Sequence, residues 1–450
     1  MSDSAVFSKQ LPTHPEIAAR FPDLHPPFDK QSAMVESNRC LYCFDAPCTA
    51  ACPTHIDVPG FIRKIQSGNL AGSARTILDA NILGASCSRV CPVQVLCEGA
   101  CVMHRYNKLP IRIGSLQRFA MEALHRSGGG LPFAPGPDTA RSVALIGAGP
   151  ASLACAAELR RRGIRAIIYE ARPLPGGLNT YGVAEYKLPL AESLREIEML
   201  LGIGIDFRFN EEVDRAKLLQ LEREHDAVFL GVGLGAIHQL GIAGEQLSGV
   251  TDALCFIAGY KSGSILKVPQ RVAVIGAGNT AIDAANAACR LGATSVHIVY
   301  RRGPEKMSAF AFEYEHAKQE GVKFLWHVQP TGIRGLKVVE ALDLIQLSSA
   351  GDSLIPLPGT EFSLPVDLVI LAIGQATHTA FLTEPGSTAR IALDNGRIVI
   401  DRATGQTSHP KFFAGGDCTN GGREVVDAVA EGKRAGIGIA VWLEAQHGRQ

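Results

Sequence analysis

The 450-residue sequence lacks an excess of charge of either sign. Lysine plus arginine and aspartate plus glutamate each total 44, and no basic run of the type that binds nucleic acid stands out. The composition therefore provides no electrostatic footprint for nucleic acid, and we expect proteins and small molecules as partners. The length is sufficient for two to four domains, each with its own core.

Membrane-targeting segments are also lacking. The N-terminus, MSDSAVFSKQ, contains an aspartate and has no charged segment followed by an apolar one, as a signal peptide would have. No stretch of about eighteen residues, the length of a membrane-spanning helix, is free of polar or helix-breaking residues. The sequence therefore predicts a soluble cytoplasmic protein that does not associate with a membrane.

Cysteine is sparse beyond residue 101, where four of the twelve stand singly at Cys155, Cys255, Cys289 and Cys418. Isolated cysteines are typical of core or helix positions, so a redox dithiol is not expected in this part of the chain. The other eight fall between Cys40 and Cys101. In a cytosolic protein this clustering favours metal binding over disulfides.

Local composition and apolar spacing predict how the chain is organised. Residues 1 to about 35 are rich in proline and predict an extended arm. After it, FIRKIQSGNLAGSARTILDAN has the apolar spacing of a helix and ends near Gly84, so we expect short helices joined by loops around the cysteines. The Gly- and Pro-rich segment HRSGGGLPFAPGPDTA, residues 125–140, predicts the main domain boundary.

Two later segments share one pattern. SVALIGAGPASLACAAELRRRGIRAIIYEAR has the order strand, glycine turn, helix and strand, and RVAVIGAGNTAIDAANAACRLGATSVHIVYRR repeats that order in the middle of the chain. Two βαβ units of this kind predict two dinucleotide-binding domains.

The first glycine loop follows the apolar strand VALI. Gly147 permits a tight turn, Gly149 lets the backbone approach a pyrophosphate, and the N-terminus of the helix that begins near Pro150 favours negative charge. Ser152 stands where the fingerprint has a third Gly or Ala, which is a mild departure because serine is also small. Glu170 ends the second strand, where an acid accepts hydrogen bonds from ribose hydroxyls.

The second glycine loop has the same context. Its predicted cofactor-binding residues are Gly276, Gly278, Asn279, Thr280 and Ala281. The strand that follows ends in Arg301 and Arg302 rather than in an acid, so this nucleotide differs from the first. Guanidinium groups are suited to phosphate, and the two arginines would favour NADP(H) if they pair with its 2′-phosphate.

Two further motifs assign the nucleotides. GGLNTYG, residues 176–182, supplies Gly177 and Leu178, and FFAGGDCTNGG places Gly416 and Asp417 after a short apolar strand. This pairing resembles the two-dinucleotide-binding flavoproteins, in which an N-terminal loop binds FAD, a late Gly-Asp contacts the flavin's ribityl and phosphate region, and NAD(P) binds between them. HDAVFLGVGLGA and VDLVILAIGQAT resemble the strands that close such domains.

The cysteines begin with CLYCFDAPCTAACP, whose spacing C-x2-C-x4-C-x3-C-P is close to a ferredoxin run. In ferredoxins the first three cysteines hold one cluster and the fourth, before proline, reaches a second. Zinc is the alternative, because its sites also use C-x2-C pairs. Iron-sulfur clusters are favoured because a hydride delivers two electrons, a cluster takes one at a time, and a flavin converts between them.

Three segments carry a closer resemblance: CLYCFDAPCTAACPTHIDVPGFI, LGASCSRVCPVQVLCEGAC and IRIGSLQRFA. They resemble the flavin and iron-sulfur subunits of bacterial NAD-dependent dihydropyrimidine dehydrogenases, and the likeness covers nearly the whole chain after the N-terminal arm. Glutamate synthase small subunits look similar throughout, but they typically lack the DAPC sequence and carry glutamate at the position of Gln117.

The resemblance implies two 4Fe-4S clusters with different ligands. It assigns one cluster to Cys40, Cys43, Cys48 and Cys101. It assigns the other to Cys52, Cys91, Cys97 and Gln117, which leaves Cys87 as a non-ligand. From the residues alone, Gln117 is expected on the solvated face of a helix and eight cysteines fill two four-cysteine sites, so the choice between Cys87 and Gln117 stays open.

The resemblance also implies the fold and the domains. We expect an α/β flavoprotein with two Rossmann-like dinucleotide-binding domains and an N-terminal α-helical iron-sulfur domain. The helical domain would span residues 1–138, the FAD-binding domain would be split into 139–262 and 377–450, and the NAD(P)-binding domain would be inserted at 263–376.

The implied function is electron input to a heteromer, expected to be a heterotetramer. NADH, favoured over NADPH because the bacterial two-subunit enzyme uses it, would pass hydride to FAD. The two clusters would then supply an FMN-containing partner subunit that reduces uracil or thymine to the 5,6-dihydro product. The hydride step needs no side-chain acid or base, so no catalytic residue is predicted. The alternatives are the glutamate synthase small subunit and a metal-binding scaffold with vestigial nucleotide folds.

Overall fold

The computed structural model describes residue 7 and residues 15–350, 353–382 and 391–447. Up to residue 141, every regular element in the described part of the chain is helical. These elements are α1 (Pro15–Arg20), α2 (Lys30–Ser37), α3 (Pro47–Ala50), α4 (Val58–Gln66), α5 (Leu70–Ala80), α6 (Gly84–Val90), a 3₁₀ helix (Val102–Tyr106) and α7 (Ile113–Arg126). The helical N-terminal domain predicted from the sequence is confirmed.

Two details of this domain differ from the sequence prediction. The arm predicted to be extended contains α1, which is held by tertiary contacts: Ile17 and Phe21 are buried in an apolar core that includes Tyr260, on which Phe21 stacks. The helix predicted to run to Gly84 is two helices, because Gly68 has a φ of +76° and the Asn69 side chain caps α5.

The first sheet has the parallel order β18-β4-β1-β2-β3. Its strands are β1 (Ser142–Ile146), β2 (Arg165–Glu170), β3 (Asp206–Phe209), β4 (Ala227–Leu230) and β18 (Phe412–Ala414). Its helices are α8 (Pro150–Arg161), α9 (Leu178–Tyr181), α10 (Leu190–Leu201), α11 (Arg215–Glu224), α15 (Asp417–Asn420) and α16 (Val425–His447). This unit, the first unit, is therefore built from two separated parts of the chain.

The second sheet has the parallel order β6-β14-β7-β8-β9 and forms the middle unit. Its strands are β6 (Val250–Asp252), β7 (Arg271–Ile275), β8 (Ser295–Tyr300), β9 (Lys323–Trp326) and β14 (Leu368–Leu371). Its helices are α12 (Ala253–Lys261), α13 (Asn279–Arg290) and α14 (Ala311–Gln319), with a 3₁₀ helix at Pro304–Lys306. Because β6 pairs with β14, the predicted boundary between residues 262 and 263 falls too late, inside this unit.

Smaller elements complete the chain. β5 (Leu234–Ile237) pairs with β15 (Gln375–Thr377) where the chain passes between the two units. An antiparallel sheet contains β10 (Val328–Arg334), β11 (Ala341–Ala350), β12 (Ser353–Pro356) and β13 (Phe362–Pro365). A 3₁₀ helix (Ala380–Leu382) precedes the two-stranded pair of β16 (Leu393–Asp394) and β17 (Arg397–Ile398). Among the described helices, none combines the length and the apolar character needed to cross a bilayer.

The helical domain and the first unit share one core. Buried Phe61 and Leu116 of the helices belong to the same contiguous apolar cluster as Val143 and Leu145 of β1. A polar contact reinforces this junction, since Glu196 of α10 accepts hydrogen bonds from backbone N–H groups at the start of α6. The helical domain that carries the cysteines therefore packs directly against the first unit.

Candidate functional site

The first glycine loop lies between β1 and α8. Gly147 has a φ of +87°, and a Cβ there would lie 2.6 Å from the carbonyl oxygen of Gly231. At Gly149 a Cβ would meet nothing within 4 Å. The loop therefore needs glycine at Gly147 for its own conformation, while Gly149 leaves open space of the kind a pyrophosphate occupies at a helix N-terminus.

Glu170 and the GGLNTYG motif both contact the first glycine loop. One oxygen of Glu170 accepts a hydrogen bond from Ala148 N at 2.8 Å and the other from Arg172 N at 2.9 Å. A Cβ at Gly177 would lie 2.9 Å from the Cα of Gly149, so the two glycine motifs touch through their backbones. Carboxylate oxygens have further lone pairs, so Glu170 retains acceptor capacity for hydroxyls.

The late Gly-Asp motif, Gly416 and Asp417, lies beside the start of α8, next to the first glycine loop. Gly416 has a φ of +81°, and a Cβ there would lie 3.0 Å from the Cβ of Ala151 at the start of α8. Burial raises the pKa of the Asp417 carboxyl. Ser152 is fully buried, and its hydroxyl has no hydrogen-bond partner among the described residues. The first loop, the GGLNTYG motif and the late Gly-Asp therefore surround one small-residue cradle, in which Leu178 lies at the rim.

The second glycine loop repeats this geometry. A Cβ at Gly276 would lie 2.2 Å from the carbonyl oxygen of Ala372, whereas one at Gly278 would meet only the hydroxyl of Ser308, at 3.4 Å. The side chain of Asn279 is hydrogen-bonded within the protein, since its oxygen accepts a hydrogen bond from Phe310 N at 3.1 Å. Ala281 is buried under the loop. As in the first loop, the second glycine of the motif, here Gly278, is the one with open space beside it.

Arg301 and Arg302 follow β8 directly. Both are exposed, and neither forms an ion pair with a residue in the described part of the chain. Two guanidinium groups at this end of a parallel strand lie where the ribose of a nucleotide on the second loop would be contacted. They are available to an anionic group of a ligand.

A cavity of about 400 Å³ joins the parts of the molecule. Leu178 and Gly182 of the first unit, Asn279 and Thr280 of the middle unit, and Cys91 of the helical domain line it. This central cavity is therefore the place where a ligand on the second loop, a ligand on the first loop and a cysteine-bound group would come closest.

One feature of this cavity was not predicted. Lys187, from the segment after α9, lies 2.7 Å from an oxygen of Asp283 on α13 and 2.7 Å from an oxygen of Glu313 on α14. Burial raises the pKa of Glu313 to about 7. The three residues are far apart in the sequence and follow no spacing rule, so no local signal indicates them. They form a buried charge cluster, Lys187–Asp283–Glu313, between the two nucleotide-binding units.

The cysteines divide between two smaller cavities. The first cysteine cavity is lined by Cys40, Cys43, Cys48 and Cys101. The second cysteine cavity is lined by Cys52, Cys87, Cys91, Cys97 and Gln117. Each cavity thus contains the residues that the family resemblance groups together, and Cys87 is the additional thiol.

Gln117 is buried on α7, contrary to the expectation from the residues alone of a solvated helix position. Its side-chain nitrogen donates a hydrogen bond of 2.7 Å to the carbonyl oxygen of Gly84. The amide nitrogen is thereby used, which leaves the amide oxygen as the polar atom available to the second cysteine cavity. Oxygen is the atom by which a glutamine would ligate iron.

The thiols fit an iron-sulfur cluster better than a single zinc ion. Four zinc-bound thiolates all lie about 2.3 Å from one point, whereas the thiols here line two cavities and enclose space in each. A 4Fe-4S cluster spreads its ligands over several irons, so they lie farther apart. Burial raises the pKa of Cys48 to about 11, so ionisation of this thiol requires a positive partner such as iron.

The cysteines outside these cavities have different surroundings. All twelve cysteines are free thiols. Cys155 and Cys418 are buried, and burial raises the pKa of Cys418 to about 12 and that of Cys289 to about 11. Thiols with such pKa values are poor nucleophiles at neutral pH.

Comparison with known families identifies the class of protein. Residues 141–432 match the pyridine nucleotide-disulphide oxidoreductase family, and residues 17–128 match the family described as dihydropyrimidine dehydrogenase domain II, 4Fe-4S cluster. The chain therefore belongs to the pyridine nucleotide-disulphide oxidoreductases, with a 4Fe-4S domain at its N-terminus. It is an oxidoreductase and an iron-sulfur flavoprotein that uses FAD and NAD(P).

The similar proteins narrow this class. The glutamate synthase (NADPH) small chain of Escherichia coli K12 is 35% identical over 449 residues, which cover 94% of each chain. The NAD-dependent dihydropyrimidine dehydrogenase subunit PreT of the same organism is 34% identical over 425 residues, covering 94% of this chain and 97% of PreT. Thioredoxin reductase from Lactococcus lactis shares the fold, with a TM-score of 0.54, 21% identity and coverage of 68% of this chain and 99% of that one.

Proposed function

We propose that this chain is the electron-input subunit of a dihydropyrimidine dehydrogenase. It would take electrons from NAD(P)H and pass them through FAD and two 4Fe-4S clusters to a partner subunit that contains FMN and reduces uracil or thymine to the 5,6-dihydro product. The observation that carries this proposal is the second cysteine cavity, in which a buried glutamine, Gln117, stands with Cys52, Cys91 and Cys97. The resemblance associates glutamine at this position with the dihydropyrimidine dehydrogenases and glutamate with the glutamate synthases.

The proposed ligand sets follow the two cavities. Cys40, Cys43, Cys48 and Cys101 would hold one cluster, and Cys52, Cys91, Cys97 and Gln117 the other. Cys87, whose thiol hydrogen-bonds with Cys91 and helps to raise its pKa, would remain a non-ligand.

The proposed nucleotide sites follow the two glycine loops. Gly147, Gly149, Pro150, Ser152, Glu170, Gly177, Leu178, Gly416 and Asp417 would bind FAD, which accepts a hydride and releases its electrons singly. Gly276, Gly278, Asn279, Thr280, Ala281, Arg301 and Arg302 would bind the nicotinamide nucleotide. The protein's contribution is to position the two ligands at the central cavity, and no side-chain acid or base is assigned to the hydride step.

The arrangement of the cavities supports an order for electron flow. Cys91 lines both the central cavity and the second cysteine cavity, and Val426 of the first unit also lines the latter. Among the described residues, those that line the first cysteine cavity all lie between 40 and 113 in the helical domain. The second site is therefore the one next to the nucleotide loops, and the first site is the outer one.

The test uses the purified chain and its proposed partner. With NADH and ferricyanide alone, we expect rapid oxidation of NADH. With the FMN-containing subunit in place of ferricyanide, we expect NADH oxidation to depend on uracil and to produce dihydrouracil stoichiometrically. NADH is expected to be preferred to NADPH. A chain that reduces ferricyanide but supports no uracil reduction with that partner would contradict the proposal.

The second candidate is the small subunit of glutamate synthase, which the 35% identity to the Escherichia coli small chain favours. In that case the acceptor would be a large glutamate-producing subunit, and NADPH would be the donor. Arg301 and Arg302, exposed and without ion pairs among the described residues, suit such a donor. Glutamate formation from 2-oxoglutarate and glutamine with the large subunit would identify this alternative.

The open space at Gly149 gives a further prediction. Gly149→Val fills that space without straining the backbone, whose φ at this position is −77°. We expect FAD binding to weaken by roughly tenfold or more, because the valine side chain excludes the pyrophosphate, while the melting temperature of the apoprotein stays close to that of the wild type. Titration of apoprotein with FAD measures the first effect. Gly147→Val is the contrasting variant: it collides with Gly231 and should lower the melting temperature of the apoprotein itself.

A further inference from the structure

Large apolar side chains are exposed around the first cysteine cavity. We propose that the surface formed by Leu41, Phe44, Tyr106 and Leu109, the outer patch, is where the electron-accepting protein partner docks. The inference rests on the proposed function, because it names the surface through which the outer cluster would deliver electrons. The partner that fits is a protein whose redox centre lies near an apolar contact face rimmed by carboxylates.

The outer patch is carried by the segments that bear the cavity's cysteines. Leu41 lines the cavity itself, and fully exposed Phe44 follows Cys43 in the chain. Tyr106 ends the 3₁₀ helix that starts directly after Cys101. Leu109 is joined to the other side, since its carbonyl oxygen accepts a 2.6 Å hydrogen bond from Arg39, the residue before Cys40. The four residues therefore lie on segments that adjoin the first cysteine cavity.

Their exposure is not explained by packing within the chain. Leu109 is 81% exposed and Tyr106 is 62% exposed, and Leu41 is more than half exposed. Apolar and aromatic groups grouped in this way on a soluble surface mark interaction sites, and single exposed residues do not. Among the described residues, none from the nucleotide-binding units lines the first cysteine cavity, so the outer patch is the surface through which electrons at this site would reach a partner protein.

The charges beside the patch indicate the partner's chemistry. The turn that carries Tyr106 and Leu109 also carries exposed Arg105 and Lys108, and it contains no acid. Arg63, also exposed, lies over the ring of Tyr42 at 4.8 Å. Two exposed acids are nearby, Asp45 and Asp57, the latter directly before Val58 of the cavity lining. A mainly cationic rim steers a protein with an acidic rim and orients it before the apolar contact forms.

The experiment compares three aspartate variants of the full chain. Leu109→Asp and Tyr106→Asp place a charge in the outer patch, and the control Leu336→Asp places one between β10 and β11, at a residue that is 93% exposed. The dissociation constant for the FMN-containing subunit is measured by sedimentation, alongside iron content, flavin content and ferricyanide reduction. We expect the two patch variants to weaken binding by roughly thirtyfold or more, with iron, flavin and ferricyanide reduction unchanged, and Leu336→Asp to bind like the wild type.

The charged residues around the outer patch are tested separately, through the rate of association. Lys108→Glu should slow association with the FMN-containing subunit several-fold at low salt and have little effect at high salt, because rim charges act mainly on the association rate. An equal effect at both salt concentrations would contradict the electrostatic part of the inference.

The outcomes separate this inference from the proposed function. If the wild type binds the large glutamate synthase subunit instead and the patch variants lose that binding, the pyrimidine assignment falls and the docking surface stands. If either partner binds the patch variants as well as the wild type, the docking surface is overturned. If the chain alone is a dimer that Leu109→Asp converts to a monomer, the patch is a self-association surface, which also overturns the inference. Binding of neither partner overturns both proposals.

Discussion

Cys97→Ser is expected to remove about half of the iron from the purified protein, because it takes a thiolate from one of the two proposed clusters and leaves the other intact. Serine oxygen is a hard ligand that protonates readily, and it replaces thiolate poorly at iron. Cys101→Ser should have the same effect on the outer site. Iron and acid-labile sulfide per flavin, together with electron paramagnetic resonance of the reduced protein, measure both losses. The flavin content serves as the control for folding.

The comparison between Cys87 and Gln117 decides the second ligand set. Cys87→Ala should keep the full iron content, whereas Gln117→Leu should lose about as much iron as Cys97→Ser. Gln117→Glu should keep the cluster, because a carboxylate oxygen replaces the amide oxygen, and its added negative charge should lower the reduction potential of that cluster. Full iron in Gln117→Leu combined with half in Cys87→Ala would reverse the assignment and make Cys87 the eighth ligand.

The nucleotide-binding loops could be predicted because their signals are local. A buried strand, a glycine turn and a small-residue helix are adjacent in the sequence, and the structure has β1 with α8 and β7 with α13 where the sequence places them. The division of the cysteines was predicted from the family resemblance. From the residues alone, the ferredoxin-like spacing indicated only that Cys52, which precedes Pro53, serves a different cluster from the three cysteines before it, and the fold places Cys52 in the second cavity.

The remaining features depend on contacts between distant segments. The short helix α1 has no signal strong enough to outweigh its prolines, and it forms where Ile17 and Phe21 find a partner surface. The burial of Gln117 depends on the carbonyl of Gly84, across a helix-helix contact. The cluster Lys187–Asp283–Glu313 joins three segments that only the folded chain brings together. Sequence reasoning from periodicity and motif spacing contains no information on such pairings.

The second large expected effect is on stability and comes from the buried charge cluster Lys187–Asp283–Glu313. Lys187 carries one positive charge against two carboxylates, and the Tyr186 hydroxyl donates a 2.7 Å hydrogen bond to Asp283. Burial alone would lower the pKa of Lys187, but Asp283 and Glu313 outweigh it and raise that pKa above its ordinary value. Lys187→Met would leave two buried carboxyl groups without a cation. Removal of one partner from a buried ionic group typically costs about 3–5 kcal/mol, so for a chain of 450 residues we expect a drop in melting temperature of about 3–5 °C near pH 8.

The loss should depend on pH, with a definite sign. A carboxyl group whose pKa is raised by folding binds its proton more tightly in the folded state, so its contribution to stability falls as pH rises from its unfolded pKa through its folded one. For Glu313 this window extends from its ordinary value of 4.5 to about 7. Without Lys187 the pKa of Glu313 should rise further, because the cation that favours its charged form is gone. The difference between Lys187→Met and the wild type should therefore be largest near pH 8 and shrink toward pH 5.5, where protonation relieves the buried charge.

An exposed ion pair on the same helix provides the matched control. Lys318 lies 3.0 Å from Glu315 on α14, and both side chains are about half exposed. Exposed pairs of this kind contribute about 0–1 kcal/mol, so Lys318→Met should change the melting temperature little at any pH. Glu313→Gln tests the origin of the pH dependence, because it should remove the part of the wild-type slope between pH 4.5 and about 7 that this carboxyl produces. A Lys187→Met variant that is destabilised equally at pH 5.5 and pH 8 would show that lost packing, and not the buried charge of Asp283 and Glu313, accounts for the effect.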